Sequence, residues 1–246
     1  MGRIFESRKY TMFARFDRMA KAFTRIGKEI TIAVKANGPL LENNPRLRTI
    51  IQNAKGLNMP KDRIEAAINR VGSREDKDYQ ELTYEAYGPY VVAIVIETAT
   101  DNINRTVANI RTILNKGNGT LGKTGSLDFI FERKGVFKFL KGELDIDALE
   151  LELIDFGAND IAISNEGEVY IYTSFQDFGP MQKALEDRNI EVISADIQRI
   201  PNTLVSLSAE QEEEVIKLIE KFEEDDDVQS VYHNICLLYT SPSPRD

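Results

Sequence analysis

The chain has 246 residues, 42% of them hydrophobic, which is enough for two or three small domains with cores of their own. One cysteine and one histidine exclude a disulfide framework and a His/Cys zinc site, and we expect neither a metal nor a cofactor. No apolar run approaches the roughly 18 residues of a membrane span, and the first ten residues lack the apolar segment of a signal peptide. We therefore expect a cytoplasmic protein without a membrane partner.

The net charge of −9 is unevenly distributed along the chain. Residues 1–77 contain 17 Lys and Arg against 8 Asp and Glu, a balance of +9, whereas the remainder contains 14 and 32, a balance of −18. A basic segment joined to an acidic body indicates an anionic partner for the basic segment.

Three helices are predicted first along the chain. Residues 10–36 place apolar side chains at three- and four-residue spacing, and Asn37-Gly38-Pro39 ends the pattern. A second helix is predicted near 45–55 and a third after "NMPKD" (58–62), where proline suits the first turn. Together they predict a small all-helical domain over residues 1–77.

The predicted helices carry clustered cations. Arg18, Lys21, Arg25 and Lys28 fall within about a quarter-turn of one another around the first helix, and they form a basic ridge beside its apolar stripe. A helix surface that only faces water normally mixes both charge signs, whereas a surface of one sign favours phosphates through the release of counterions. Before the first predicted helix, Arg3, Arg8 and Lys9 form a short basic arm that could thread into folded RNA. We therefore predict nucleic-acid contacts at Arg8, Lys9, Arg18, Lys21, Arg25, Lys28, Arg46, Arg48, Lys55, Lys61 and Arg63.

A polar linker, "GSREDKDYQE" (72–81), precedes a region in which strands alternate with helices. Strands are predicted at 90–98, 126–135, 135–140, 160–165, 168–174, 191–201 and 228–234. Helices are predicted at 102–115, 146–157, 178–189 and 208–225.

Residues 136–200 alone give the element order β-α-β-β-α-β of a ferredoxin-like domain. The strands and helices on either side of this segment, in 78–135 and 201–234, form a further domain together. The sequence therefore predicts an α+β fold with an N-terminal three-helix domain followed by two ferredoxin-like α/β domains, the third (136–200) being inserted into the second (78–135 plus 201–234).

The Gly-rich stretch "GNGTLGKTGS" (117–126) contains a literal match to the phosphate-binding pattern G-x-x-x-x-G-K-[ST]. In a true P-loop a strand enters the loop, and the phosphates lie on the N-terminus of the helix that leaves it. Here a helix enters the loop and a strand leaves it, so Gly117 suits the end of a helix. We predict a flexible surface loop without nucleotide hydrolysis, and an anion contact of Lys123 is the less favoured alternative.

The end of the chain changes character. Residues 225–234, "DDDVQSVYHN", are typical of a natural ending, whereas "CLLYTSPSPRD" (236–246) resembles the translation of a sequencing adapter. We expect 235–246 to be a non-native tail, and with it Cys236.

Seven segments carry a family resemblance, and they follow one another over nearly the whole chain: "FTRIGKEI" (23–30), "NPRLR" (44–48), "NMPKDRIEAAI" (58–68), "YEAYGP" (84–89), "TDNINRT" (100–106), "LGKTGSLDFIFERKG" (121–135) and "DDDVQSVYHN" (225–234). In this order they resemble the YebC/PmpR family of bacterial regulatory proteins, whose relatives include the mitochondrial translational activator of cytochrome c oxidase. The chain departs from the family pattern at two places, and in this it resembles a sub-branch of the family. "GRIFESRKY" (2–10) stands where many members have Gly-His-Ser-Lys-Trp, and Tyr90 to Val92 stand where Gly-Gly is usual.

The resemblance implies a helical N-terminal domain and two α/β domains around a concave surface. It implies control of gene expression rather than catalysis, with nucleic acid as the partner. Two versions stay open: a DNA-binding transcriptional regulator, and a ribosome-associated translation factor that binds ribosomal RNA and relieves stalling. No predicted helix presents Asn, Gln and Arg side chains in an arrangement that would contact base edges. The charges alone therefore favour contact with the phosphate backbone of the nucleic acid.

The sequence gives less support to two further classes of function. An enzyme would have to use carboxylates such as Glu85, Glu97 and Asp101, but no nucleophile and base stand together, and we predict no catalytic residues. A ligand sensor or interaction scaffold would use the turn at Gly88-Pro89 and the loop 117–125 as the walls of a groove. Turn chemistry alone accounts for those glycines and the proline.

Overall fold

The computed structural model describes residues 3–73 and 77–236, with side chains described from Met19 onward. The chain divides between Tyr79 and Gln80 into two compact units. Within the described residues it forms seven α-helices and eight strands.

The N-terminal unit is entirely helical. Its helices are α1 (Arg3–Asn37), α2 (Pro45–Gly56) and α3 (Lys61–Arg70). The first begins seven residues before the predicted 10–36, and the other two lie where the sequence predicts them. The apolar stripes of the three helices meet in one core, which contains Ile26, Ile30, Ala33, Val34, Leu47, Ile50, Ile51, Ala54, Met59, Ile64 and Ala67.

The turn between α1 and α2 is held by one buried amide. Asn44 is the N-cap of α2, and its Oδ1 accepts a hydrogen bond of 3.0 Å from the N–H of Leu47. Its Nδ2 donates to the carbonyl oxygens of Ala33 at 2.7 Å and Gly38 at 2.9 Å. One side chain therefore starts α2 and fixes the end of α1.

The second unit contains two antiparallel four-stranded sheets. The first sheet has the order β3-β1-β2-β8, and its strands are β1 (Gln80–Tyr87), β2 (Ala93–Thr100), β3 (Thr120–Leu121) and β8 (Val228–His233). Helices α4 (Ile103–Lys116) and α7 (Ala209–Glu223) contribute to its core. That core includes Ile94, Ile96, Ile110, Leu114, Val215 and Phe222, none of them more than 1% exposed.

The second sheet has the order β5-β6-β4-β7. Its strands are β4 (Phe131–Leu140), β5 (Ala158–Ile163), β6 (Glu168–Ser174) and β7 (Val192–Pro201). Helices α5 (Ile146–Ile154) and α6 (Phe178–Asp187) pack on it over a separate core, which includes Phe137, Phe139, Leu153, Ile171, Met181 and Leu185.

The predicted fold class is confirmed. A helical region is followed by two sheets, and the chain forms the whole second sheet after β3 before it returns to add α7 and β8 to the first sheet. The domain limits at 77, 135 and 200 remain predictions. The assignment of 235–246 to a non-native tail also remains a prediction. Ile235 is buried and forms a bridge with Val205, whereas residues 237–246 lie outside the described residues.

Three element predictions were wrong. Strand β1 covers the end of the segment assigned to a polar linker, and lies inside the sheet between β2 and β3. Strand β2 begins at Ala93 rather than at residue 90, because Pro89–Val91 form a 3-10 turn in which Tyr90 and Val91 have left-handed backbones, with φ of 59° and 60°. The two strands predicted at 126–135 and 135–140 are the single strand β4, preceded by turns.

Candidate nucleic-acid interface

Five of the predicted contacts lie on the surface of α2 and α3. Arg46, Arg48, Lys55, Lys61 and Arg63 are all exposed. Because Leu47, Ile50, Ile51 and Ala54 turn inward, the cations of α2 are left on its outer side. Acidic residues are absent from the first turn of α2.

The predicted ridge on α1 is only partly on the surface. Lys21 and Arg25 are half-buried, and Lys28 is buried, with 8% of its surface exposed. Lys28 does not lie on an open surface, because α3 and the segment 77–79 pack beside this part of α1. Its contact with nucleic acid remains a prediction. Arg8, Lys9 and Arg18 belong to the helical backbone of α1, but their side chains lie outside the described residues.

Lys28 instead lines a cleft of about 290 Å³ between α1, α3 and Tyr79. Its Nζ lies 5.3 Å from the centre of the Tyr79 ring. On the facing helix the guanidinium carbon of Arg63 lies 5.9 Å from the centre of the Phe23 ring. Both contacts have the geometry of cation–π pairs. The cleft therefore combines aromatic rings with cations, which are the groups that bind nucleotides.

Arg70 and Tyr79 also line this cleft, although neither is among the contacts predicted from the sequence. Phe23 lines it as well, and its place in the apolar pattern of the first helix predicts only a packing role. The spacing of α3 contained a signal for Arg70, since Arg63 and Arg70 are two helical turns apart and share a face. The helical periodicity of the sequence gives no position for Tyr79, because this residue follows α3 in the chain and lies outside the helices.

One lysine of α1 holds the segment 77–79, which follows α3, beside α1. The Nζ of Lys35 donates a hydrogen bond of 2.8 Å to the carbonyl oxygen of Lys77 and lies 3.4 Å from Oδ1 of Asp78. Lys28 and Lys35 are seven residues apart and so lie on one face of α1. The contact at Lys35 thereby places Tyr79 beside Lys28.

The stretch that matches the P-loop pattern has a structural role. Helix α4 enters it and Gly117 caps that helix, as the sequence predicts. The N–H groups of Gly125 and Leu127 each donate to the carboxylate of Glu85 at 2.7 Å, and Ser126 Oγ donates to it at 3.1 Å. These donors of the loop are therefore occupied by a carboxylate of the chain itself.

The other candidate carboxylates of an enzyme are ion-paired. Glu97 accepts from Nε of Arg199 at 2.8 Å, a contact that links β2 of the first sheet to β7 of the second. Asp101 lies 2.8 Å from Arg105, which also lies 2.7 Å from the buried Asp227. The carboxylates of Asp227 and Asp101 raise the pKa of the Arg105 guanidinium above its ordinary value.

Asp227 is a structural anchor for the N-terminus of α4. It accepts hydrogen bonds from Thr100 Oγ1 at 3.2 Å, from Thr106 Oγ1 at 2.9 Å and from Arg105. The segments "TDNINRT" and "DDDVQSVYHN" thus meet to fasten α4 to the start of β8. Among the residues with described structure, no three His, Cys, Asp or Glu side chains are grouped to hold a metal.

The turn at Gly88-Pro89 and the loop 117–125 come together by close packing. A Cβ at Gly117 would lie 2.6 Å from Leu218 of α7, and one at Gly119 would lie 2.8 Å from Leu114 and 3.0 Å from the carbonyl oxygen of Tyr87. A Cβ at either position would require these neighbours to shift, so the close packing favours glycine. This packing accounts for the glycines without a ligand.

Among the described helices, none combines the length and the apolar character that a membrane span requires.

These features define an α+β protein with a basic helical unit, followed by an acidic unit built of two antiparallel sheets. The chain belongs to the TACO1/YebC family. The family model for the TACO1/YebC protein N-terminal domain matches residues 3–74, and that for the TACO1/YebC second and third domain matches residues 79–235.

Relatives match over nearly their whole length. A protein of Cytophaga hutchinsonii named "Probable transcriptional regulatory protein" is 58% identical over 96% of this chain and 99% of its own. A protein of the same name from Parabacteroides distasonis is 52% identical over 96% and 97%. The crystal structure of a conserved hypothetical protein from Aquifex aeolicus matches with a TM-score of 0.77 and 36% identity, over 88% of this chain and 89% of that one.

Proposed function

We propose that this protein is a non-enzymatic, cytoplasmic regulator of gene expression that binds nucleic acid through its N-terminal unit. The observation that carries the proposal is the charge of residues 1–77, +9 against −18 for the rest of the chain. A surface of this kind attracts phosphates and releases the counterions that surround them. The names of the relatives support a regulator of transcription.

The proposed target is DNA, and the proposed contacts to its backbone are the cations predicted from the sequence except Lys28, which lies in the cleft. Five of them, on α2 and α3, are exposed and so accessible to a phosphate backbone. Backbone contacts position a protein on nucleic acid without selecting a base sequence. Selectivity would then come from groups other than these cations.

A second candidate is a translation factor that binds ribosomal RNA. The aromatic cleft favours it, because unpaired bases that can stack on aromatic rings are common in folded RNA and rare in duplex DNA. The acidic part of the chain also favours it, because the charge of −18 over residues 78–246 opposes extended contact with a duplex. Sedimentation of the tagged protein from gently lysed cells, with and without RNase, separates the two candidates: co-migration with ribosomal particles supports translation, and capture on genomic DNA supports transcription.

The shared part of the proposal is tested by neutralising four exposed cations together, Arg46, Arg48, Lys55 and Lys61, to Gln. Each lost phosphate contact should lower the slope of log affinity against log salt by about 0.9 on duplex DNA and about 0.7 on single strands. The matched control neutralises four exposed lysines of the second unit, Lys116, Lys141, Lys183 and Lys217, with the same loss of charge. An unchanged affinity and slope in the first variant would refute the assignment to the N-terminal unit.

A further inference from the structure

We infer that the cleft between α1, α3 and Tyr79 binds a single unpaired nucleotide of a nucleic-acid strand, with its base against the aromatic rings and its phosphate against the cations. This inference rests on the proposed function, which supplies the strand. It goes further by naming the site and the form of nucleic acid that fits it.

The charge of the lining indicates the kind of ligand. The described lining contains three cations, Lys28, Arg63 and Arg70, and no carboxylate. Two hydroxyl residues, Thr24 and Thr31, also line it. A cleft lined by one sign of charge concentrates ligands of the opposite sign, so the ligand expected here is an anion.

The aromatic residues show that the ligand has a flat apolar part as well. Phe23 and Tyr79 both line the cleft and both are half-buried, so part of each side chain remains accessible. Arg63 and Lys28 already lie near these rings at cation–π distance. Stacking of bases on aromatic rings, beside a basic surface that follows the backbone, is how single strands are bound without a fixed sequence.

The volume limits the ligand to a small one. About 290 Å³ lies at the lower end of the range for small-molecule sites, roughly 300–1,000 Å³. This space suits one nucleotide and is too small for a base pair with its two backbones. A duplex would therefore contact the outer cations without entering the cleft.

Gly27 provides an independent observation. It lies in the interior of α1, where glycine costs helix stability relative to alanine, and it lines the cleft. A Cβ added at Gly27 would meet no atom within 4 Å, so packing inside the protein does not require glycine here. The absent side chain leaves space in the cleft that a ligand can use.

The experiment compares binding of labelled oligonucleotides of about 12 nucleotides, as single-stranded RNA, single-stranded DNA and blunt DNA duplex. Gly27→Leu fills the cleft with a good helix former, and Ala36→Leu makes the same kind of change at an exposed position of α1 outside the lining. Tyr79→Ser removes a stacking ring from a residue outside the helices, which keeps the test valid if Gly27→Leu disturbs folding.

The full-length wild type is expected to bind the single strands, and Gly27→Leu and Tyr79→Ser are each expected to weaken that binding about tenfold or more. Duplex binding is expected to stay within about twofold, since duplex affinity depends on the outer cations. Ala36→Leu should match the wild type on every probe. The RNA and DNA single strands show which sugar the cleft prefers.

Two results would overturn the inference while leaving the proposed function intact. One is unchanged single-strand affinity in both cleft variants when the wild type binds. The other is binding of adenosine monophosphate alone that an oligonucleotide does not displace, which would assign the cleft to a free nucleotide. If the wild type binds neither single strands nor duplex, the proposed function itself fails.

Discussion

The backbone N–H of Gly125 donates a hydrogen bond of 2.7 Å to Oε1 of Glu85, a residue 40 positions earlier in the chain. Gly125 has a φ of +85°, in the left-handed region that favours glycine. This conformation is part of a turn in which the N–H groups of Gly125 and Leu127 both point to one carboxylate. The glycine-rich loop thus binds an anion, and that anion is the side chain of Glu85.

Replacement of Glu85 by Gln should destabilise the protein by about 2 kcal/mol, because hydrogen bonds to a charged acceptor are the stronger kind and the new amide brings a buried donor. Glu85 is 7% exposed, so water cannot replace the lost bonds. Urea unfolding measures the change. Glu81→Gln, at an exposed position of the same strand, is the control and should stay within about 0.5 kcal/mol. Equal stability of the two variants would show that the carboxylate does not hold the loop.

Asn44 should be equally important to the N-terminal unit. Asn44→Ala removes the cap of α2 and leaves the carbonyl oxygens of Ala33 and Gly38 without this donor. The lost cap and the two lost hydrogen bonds together should cost about 3 kcal/mol. Thermal unfolding followed by circular dichroism measures the loss. Asn43→Ala, one residue earlier and exposed, should change the stability by no more than about 0.5 kcal/mol, and a comparable loss there would contradict the role of Asn44.

The sequence predicted most of the fold because the buried residues of each helix recur with its period. Ile26, Ile30 and Val34 of α1 are buried as their spacing requires. Strand β1 escaped detection because its burial is irregular and its exposed start continues a polar segment, although it lies inside the sheet. Its partners β2 and β3 decide its conformation, and a single sequence does not show such pairings.

The candidate site could be predicted only in part, because helical spacing is the only signal that the sequence gives for it. Helical spacing shows which cations share a face, but not which neighbouring element covers that face. Lys28 is therefore found in a cleft rather than on a ridge, and Tyr79 joins it through the contact of Lys35 with residues 77 and 78. Both placements depend on the path of the chain after α3.

The turn before β2 stores backbone strain that glycine would relieve. Val91 has a φ of +60° and is 74% exposed, so its side chain contributes little packing in return. The left-handed conformation costs a non-glycine residue roughly 1–2 kcal/mol. Glycine removes this cost but lowers the stability by roughly 0.5–1 kcal/mol, because the unfolded chain becomes more flexible. Val91→Gly should therefore stabilise the protein by about 0.5–1 kcal/mol in urea unfolding.

Two companion variants make this prediction specific. Val91→Ala keeps the strained backbone and should give no such gain. Tyr90→Gly should gain less than Val91→Gly, because the hydroxyl of Tyr90 donates a hydrogen bond of 2.6 Å to Glu214 that would be lost. A gain from Val91→Ala as large as that from Val91→Gly would exclude backbone strain as the cause.

Tyr232 should make the second unit sensitive to alkaline pH. Burial, and then the nearby charge of Glu97, raise the pKa of its hydroxyl from 10.0 to about 12. Because the folded-state pKa is the higher one, the contribution is fully present below pH 10 and is lost as the pH rises through about 12. At about 1.36 kcal/mol per unit, the loss approaches roughly 2–3 kcal/mol. Tyr232→Phe removes the titrating group, so between pH 10 and pH 12 the unfolding free energy of the wild type should fall by about 2 kcal/mol more than that of the variant. A difference that stays constant over this interval would mean that Tyr232 ionises equally easily in the folded and unfolded chains.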